Sequence, residues 1–144
     1  MPKTKNILKI ASSVFDIESN SISQLKSKLT DDFTMSVTEI LNSDGRIIVA
    51  GVGKSANIAS KIVATFNSTG QPSVFLHAAD ALHGDLGNIQ KNDIVICISK
   101  SGNTKEIKLL VPLIKKLGNK IISICGNLNS YLAKESDFCL EIGR

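Results

Sequence analysis

Tryptophan is absent from this 144-residue chain, and its aromatic residues are five phenylalanines and one tyrosine. That leaves no stacking platform for single-stranded nucleic acid. Arginine is almost as scarce: of 17 basic residues only Arg46 and Arg144 are arginines, the rest lysines. Bidentate contacts to bases and phosphates fall mainly to arginine. The net charge of +4 therefore points to anionic metabolites, and no nucleic-acid partner is expected. No apolar run approaches the roughly 18 residues that cross a bilayer, so no membrane partner is expected either. The opening MPKTKNILKIASSVF has lysines but neither a sustained apolar stretch nor a small-residue cleavage site, which reads as cytoplasmic. Cysteines number three, Cys97, Cys125 and Cys139. Each falls in or beside an apolar strand pattern, so buried thiols in a reducing compartment fit better than metal ligands. Two histidines and scattered carboxylates show no metal spacing, and no metal site is expected.

What remains is an ordinary globular composition, 42% hydrophobic and 21% charged, long enough for one domain with a real core. Ile22, Leu25, Leu29, Phe33, Val37, Ile40 and Leu41 recur at gaps of mostly three and four. That stripe predicts a long amphipathic helix over 17–43, preceded by a shorter one near 4–15. Two helices before the first strand exceed what one sheet needs for cover, and packing against a second subunit is one use for them. From Arg46 onward apolar strands alternate with helices. Strands are expected at 46–51, 73–77, 93–99, 119–125 and 137–142, with helices near 55–69, 78–83, 103–117 and 129–135. Such alternation predicts an α/β fold, a three-layer α/β/α sandwich around a five-stranded parallel sheet. The domain reading is N-terminal helices over 1–45 and a sandwich over 46–144. Pro112 should kink the third of these helices by removing a backbone donor.

In an open parallel sheet, ligands bind beyond the carboxyl ends of the strands. Three segments reach that edge. In residues 93–107, DIVICISKSGNTKEI, a buried strand runs into hydroxyls and a glycine at the mouth of a helix. Ser99, Ser101, Gly102, Asn103 and Thr104 form a cup suited to phosphate, because a helix N-terminus carries free donors and partial positive charge. In GVGKS, residues 51–55, Ile48 stands where a P-loop needs its first glycine, and GxGxxG is matched only in its alternative form through Ala56. The segment reads as a glycine turn that brings Lys54 and Ser55 to the ligand edge, unless Lys54 is merely solvated. In HAADALHGDLG, residues 77–87, His83 lies in a turn where a ligand is reachable and proton transfer near neutral pH is possible. His77 is equally well a structural residue. Glu106 has two readings, a proton acceptor one turn from the cup or the partner of Asn103 in a capping box.

Together GVGKS, ATFNSTG, HGDLG and SKSGNT resemble, in order and spacing, the sugar isomerase (SIS) domain and within it the arabinose-5-phosphate isomerase family. The resemblance spans residues 40–144 and implies a flavodoxin-like sheet. It implies interconversion of D-arabinose 5-phosphate and D-ribulose 5-phosphate through an enediol(ate), toward 3-deoxy-D-manno-octulosonate for lipopolysaccharide or capsule. No redox cofactor is implied. By position, Gly53, Ser55, Ser99, Ser101, Gly102, Asn103 and Thr104 would hold the sugar phosphate, and Lys54, His83 and Glu106 would be the catalytic groups. A homo-oligomer, dimer or tetramer, is expected.

Two departures from the family stand out. Ala78, Ala79 and Asp80 replace a stretch that often carries proline and glutamate. Arg144 comes just after the fifth strand, where relatives continue with a threonine- and serine-rich turn, closing helices, another histidine and commonly two CBS modules. The expectation is thus a C-terminally incomplete SIS domain. Its alternatives to an isomerase are a noncatalytic sugar-phosphate-binding module and a structural subunit.

Overall fold

A computed structural model describes residues 2–143; Arg144 lies outside the described residues. Five strands form one parallel sheet: β1 Ile47–Gly51, β2 Ser73–His77, β3 Ile94–Ser99, β4 Ile121–Cys125 and β5 Phe138–Glu141, in the order β2-β1-β3-β4-β5. Every residue of β1 and β3 is buried, as expected for strands covered on both faces. In register, Val49 sits between Phe75 and Ile96, and Ile96 faces Ile122.

Alternation along the strands sorts the core into two layers. Ile48, Ala50, Val95, Cys97, Ile121 and Cys125 pack against α4 (Ala78–Ala81), α5 (Lys105–Leu117) and α6 (Tyr131–Glu135). The opposite face, with Ile47, Val49, Ile96 and Ile122, is covered by α3 (Lys54–Ser68) and by Ile40 of α2 (Asp31–Asn42). The expected three-layer α/β/α sandwich is therefore present. Helix α5 buries Ile107, Leu110, Val111 and Ile114 at helical spacing and stays helical through Pro112.

The N-terminal helices divide differently from the predicted 4–15 and 17–43. Helix α1 runs from Pro2 to Gln24, a 3₁₀ turn follows at Leu25–Lys28, and α2 begins only at Asp31. The apolar stripe masks the break, because Leu25, Leu29 and Phe33 keep helical spacing across it. The local cause is Thr30, extended at ψ 179°, followed by Asp31 and Asp32 in the first turn of α2, where carboxylates favour a helix start. Helix α2 packs along the free edge of β5. There Asp32 accepts the Cys139 N–H at 2.8 Å and Lys28 pairs with Glu141 at 2.6 Å. Helix α1 keeps Ile7, Phe15 and Ile22 exposed, at 64%, 73% and 68%, so its apolar side does not pack on this chain.

The strand ends opposite the ligand edge are tied by a buried carboxylate. Asp93 accepts the backbone N–H of Arg46 at 2.9 Å, that of Gln90 at 2.8 Å and the Arg46 guanidinium at 2.7 Å. Burial alone would raise its pKa, but these hydrogen bonds outweigh that and hold the carboxyl below its usual value. The folded value lies below the unfolded one, so the network stabilises fully above about pH 4. That contribution is lost as pH falls through the folded value. Asp93→Ala should cost roughly 3 kcal/mol at pH 7, since it leaves two backbone donors unpaired and the Arg46 guanidinium with the Asn88 carbonyl but no carboxylate. Urea unfolding at pH 7 and pH 3 checks this: the mutational penalty shrinks at the lower pH, and an equal penalty at both would rule out the charge as its source.

Candidate functional site

The chain reverses strand order between β1 and β3, and the crevice at that switch is where an open α/β sheet receives ligands. A cavity of about 660 Å³ opens there, lined by Val52, Ser55, Ser99, Lys100, Ser101, Asn103, Thr104, Gly126 and Asn127. Two helix N-termini face it, because Ser55 stands in the first turn of α3 and Thr104 is the N-cap of α5. Ladder bonding in α5 starts when Lys108 donates to the Thr104 carbonyl at 3.0 Å. The N–H groups of Lys105, Glu106 and Ile107 precede it and need another acceptor. Hydroxyls and free donors, with Lys100 and no carboxylate in the lining, make this a cavity for an anion.

The cup is held in shape from below. Ser99 and Thr104 share a hydroxyl–hydroxyl bond of 2.7 Å across its mouth, and the Gly102 N–H returns to the Ser99 carbonyl at 3.0 Å. Gly102 adopts φ +63°, and a Cβ there would lie 2.0 Å from Ser130 Oγ, so only glycine fits both the turn and the contact. Gly126 donates to the Lys100 carbonyl at 2.9 Å, and Leu132 donates to that of Gly102 at 3.0 Å. The loop after β3 is thereby fastened to the start of α6 and the end of β4.

Of the two readings of Glu106, the capping box with Asn103 is not formed. The helix starts at Lys105 with Thr104 as its cap, without a side-chain capping bond. Asn103 instead accepts the Tyr131 N–H at 3.2 Å and bonds Ser101. A partner from a distant turn competes successfully with the local cap, and Glu106 is left without a capping role.

Ser55, Ser99, Ser101, Asn103 and Thr104 line one cavity, and Gly102 is buried beside them. Gly53 is the N-cap of α3 at φ +58°, and Lys54 follows as an exposed first residue of that helix. Neither is among the residues lining the cavity. His83 and Glu106 come together, but elsewhere. With Ala79, Leu82, Lys105 and Leu109 they line a second cavity of about 410 Å³ on the other side of the α5 N-terminus. His77 Nδ1 is buried without a hydrogen-bond partner, 3.6 Å from the Asp80 carboxylate, and the ring meets Phe75 edge-on. Among the described residues no group of three or more metal-ligating side chains occurs, and no helix is long and apolar enough to cross a membrane.

The sequence reading missed Val52, Lys100, Gly126 and Asn127 as lining residues. Lys100 was legible, since it lies inside the cup segment. Gly126 and Asn127 were not, because they come from the end of β4, whose place beside β3 is a matter of strand order.

Known proteins share the sequence pattern and the fold of this chain. The SIS domain matches residues 39–143. A Haemophilus influenzae protein named "Probable arabinose 5-phosphate isomerase" is 48% identical over 137 residues, 95% of this chain and 41% of that protein. Arabinose 5-phosphate isomerase KdsD of Pseudomonas aeruginosa is 41% identical over 141 residues, 98% of this chain and 43% of that protein. The chain thus spans less than half the length of these curated relatives. Among solved structures, an Escherichia coli CFT073 protein in complex with arabinose 5-phosphate superposes with a TM-score of 0.91 at 37% identity, covering 96% of this chain and 74% of that one. With the sheet order, the hydroxyl cup at the strand switch and these matches in agreement, the chain belongs to the SIS domain family.

Proposed function

We propose that this chain binds D-arabinose 5-phosphate and interconverts it with D-ribulose 5-phosphate, in supply of 3-deoxy-D-manno-octulosonate. The single observation that carries the reading is the hydroxyl cup at the β1/β3 switch, in a fold shared with a protein solved in complex with arabinose 5-phosphate. Ser55, Ser99, Ser101 and Thr104 hold the phosphate, with Gly53, Gly102 and Asn103 shaping the backbone around it. The reaction moves a proton from C2 to C1. A base takes the C2 proton as O1 gains one, giving the enediol. C1 is then reprotonated as O2 loses its proton, and the ketose results. The family resemblance offers His83 and Glu106 for the proton transfers and the Lys54 ammonium for the developing oxyanion; all three lie outside the lining of the cup, so they serve a sugar that extends from the cup toward them. No step needs an electron carrier.

The exposed apolar side of α1 supports the further reading that the chain works as a homo-oligomer. A second copy is the natural cover for Ile7, Phe15 and Ile22. Sedimentation of the chain and of an Ile7→Glu, Phe15→Glu variant checks this: the variant should sediment as a smaller species.

Proton NMR of arabinose 5-phosphate in D₂O tests the function directly. Loss of the C2 proton signal with appearance of ribulose 5-phosphate is expected. Binding without exchange would instead favour a noncatalytic sugar-phosphate module, the reading that the placement of His83 and Glu106 outside the cup supports. Glu106→Gln should lower turnover about 100-fold while changing affinity less than about threefold, because the side chain's shape is kept. Full turnover in that variant would remove Glu106 from the chemistry.

A further inference from the structure

Cys125 and Cys139 take no part in the chemistry above, yet their sulfurs lie 3.5 Å apart on neighbouring strands. In the β4–β5 register Ser123 faces Cys139 and Cys125 faces Glu141. The two cysteines are therefore offset by two residues and share one face of the sheet, the face beneath α6. Their access differs. Cys125 is buried, whereas Cys139 is half-buried and lines an open cavity of about 510 Å³ with Ser27, Lys28, Thr30 and Asp32. A small reagent reaches the second sulfur first. Cys97 is the internal contrast, enclosed in β3 with its thiol pushed up to about 12 by burial.

Cys125 also touches the cup. It ends β4, and the next two residues, Gly126 and Asn127, line the phosphate cavity. Its sulfur sits 3.6 Å from the Asn127 carbonyl and 3.9 Å from Ser130 Oγ, the hydroxyl that abuts Gly102. A disulfide requires the sulfurs to close to about 2.05 Å. Residues offset by two on neighbouring strands have Cα atoms about 7–8 Å apart, so closure also requires backbone movement of β4 or β5, and the end of β4 leads directly into Gly126 and Asn127.

We infer that Cys125 and Cys139 form a dithiol redox site, closed to an intrachain disulfide by small disulfides of the glutathione class, and that closure loosens the phosphate cup. In the first step the Cys139 thiolate attacks one sulfur of the small disulfide and expels its other half as a thiolate. The Cys125 thiolate then attacks the Cys139 sulfur of the mixed disulfide and expels the second half. Two protein thiols lose two protons and two electrons, and the oxidant leaves as two thiols. Burial, with Cys125 and Asp32 nearby, holds the Cys139 thiol at about 11, so little thiolate is present and closure is slow. The link to the cup rests on the sugar-phosphate reading; the disulfide does not.

The full chain, reduced or incubated with oxidised glutathione, is mapped by alkylation and peptide mass spectrometry, and its affinity for arabinose 5-phosphate is measured in parallel. A Cys125–Cys139 linked peptide reversed by dithiothreitol is expected, with Cys97 alkylated only after unfolding. Affinity should fall about tenfold on oxidation and stay unchanged in oxidant-treated Cys139→Ser. Free Cys125 and Cys139 after prolonged oxidation, or a glutathione adduct on Cys139 with Cys125 still free, would overturn the redox site. A linked peptide with unchanged affinity would overturn its coupling to the cup. If the reduced chain binds no arabinose 5-phosphate, the sugar-phosphate reading fails, and the peptide map alone decides the disulfide.

Discussion

Replacing Ser101 and Thr104 together with alanine should weaken arabinose 5-phosphate binding about 100-fold while the fold stays intact. Each hydroxyl that donates to a phosphate oxygen contributes on the order of 1.5 kcal/mol, the lower end for hydrogen bonds to charged groups. Two of them, lost together, come to roughly 3 kcal/mol, or about two powers of ten. The fold should tolerate the change. Ser101 is exposed, and Thr104 makes no side-chain capping bond to α5. Thr104→Ala also frees the Ser99 hydroxyl from its 2.7 Å partner, which adds to the loss by letting the mouth of the cup relax. Isothermal titration with arabinose 5-phosphate, alongside far-ultraviolet circular dichroism, reads both halves of the expectation. Unchanged affinity in a folded variant would place the phosphate elsewhere.

Gly102→Ala should destabilise the chain by about 3 kcal/mol. Roughly 1 kcal/mol comes from placing an L-residue at φ +63°, in the left-handed region. The rest comes from overpacking, since the new Cβ would meet Ser130 Oγ at 2.0 Å and Ser130 Cβ at 2.4 Å. Those two atoms belong to one small side chain, so the contributions can be separated. In a Ser130→Gly background the contact is gone and only the backbone cost should remain. Ser130 caps α6 by accepting the Ala133 N–H at 3.3 Å, and glycine at a cap costs only a few tenths of a kcal/mol. Urea unfolding of the four proteins gives the coupling, expected near 2 kcal/mol. No coupling would mean that the loop moves as a body to admit the methyl group, and that the cup is not pinned by Ser130.

Much of the scaffold was readable from residue order. Strands β1 and β3 announce themselves as near-continuous apolar runs rich in isoleucine and valine, because a strand buried on both faces has no polar side to alternate with. The cup was readable for the same reason that it works: Ser99 to Thr104 are adjacent in the chain, and a strand-to-helix turn gathers neighbours by itself. Periodicity failed at Leu25–Phe33. Three- and four-residue spacing persists across a break there, so the break is written only in Thr30 and the two aspartates after it. Local pairing failed at Asn103, where a capping partner three residues away lost to the Tyr131 N–H, 28 residues distant.

Residue order alone carries the strands, their apolar faces and the chemistry of the loop that meets the ligand, since each depends on neighbours within one or two turns of the chain. Tertiary structure alone decided three things. It brought Gly126 and Asn127 to the cup, set His83 beside Glu106 in a separate cavity, and laid Cys125 against Cys139. Each of these depends on which strand lies beside which and which helix covers which face. Such choices are settled by packing between segments distant in the chain, and no local pattern of residues records them.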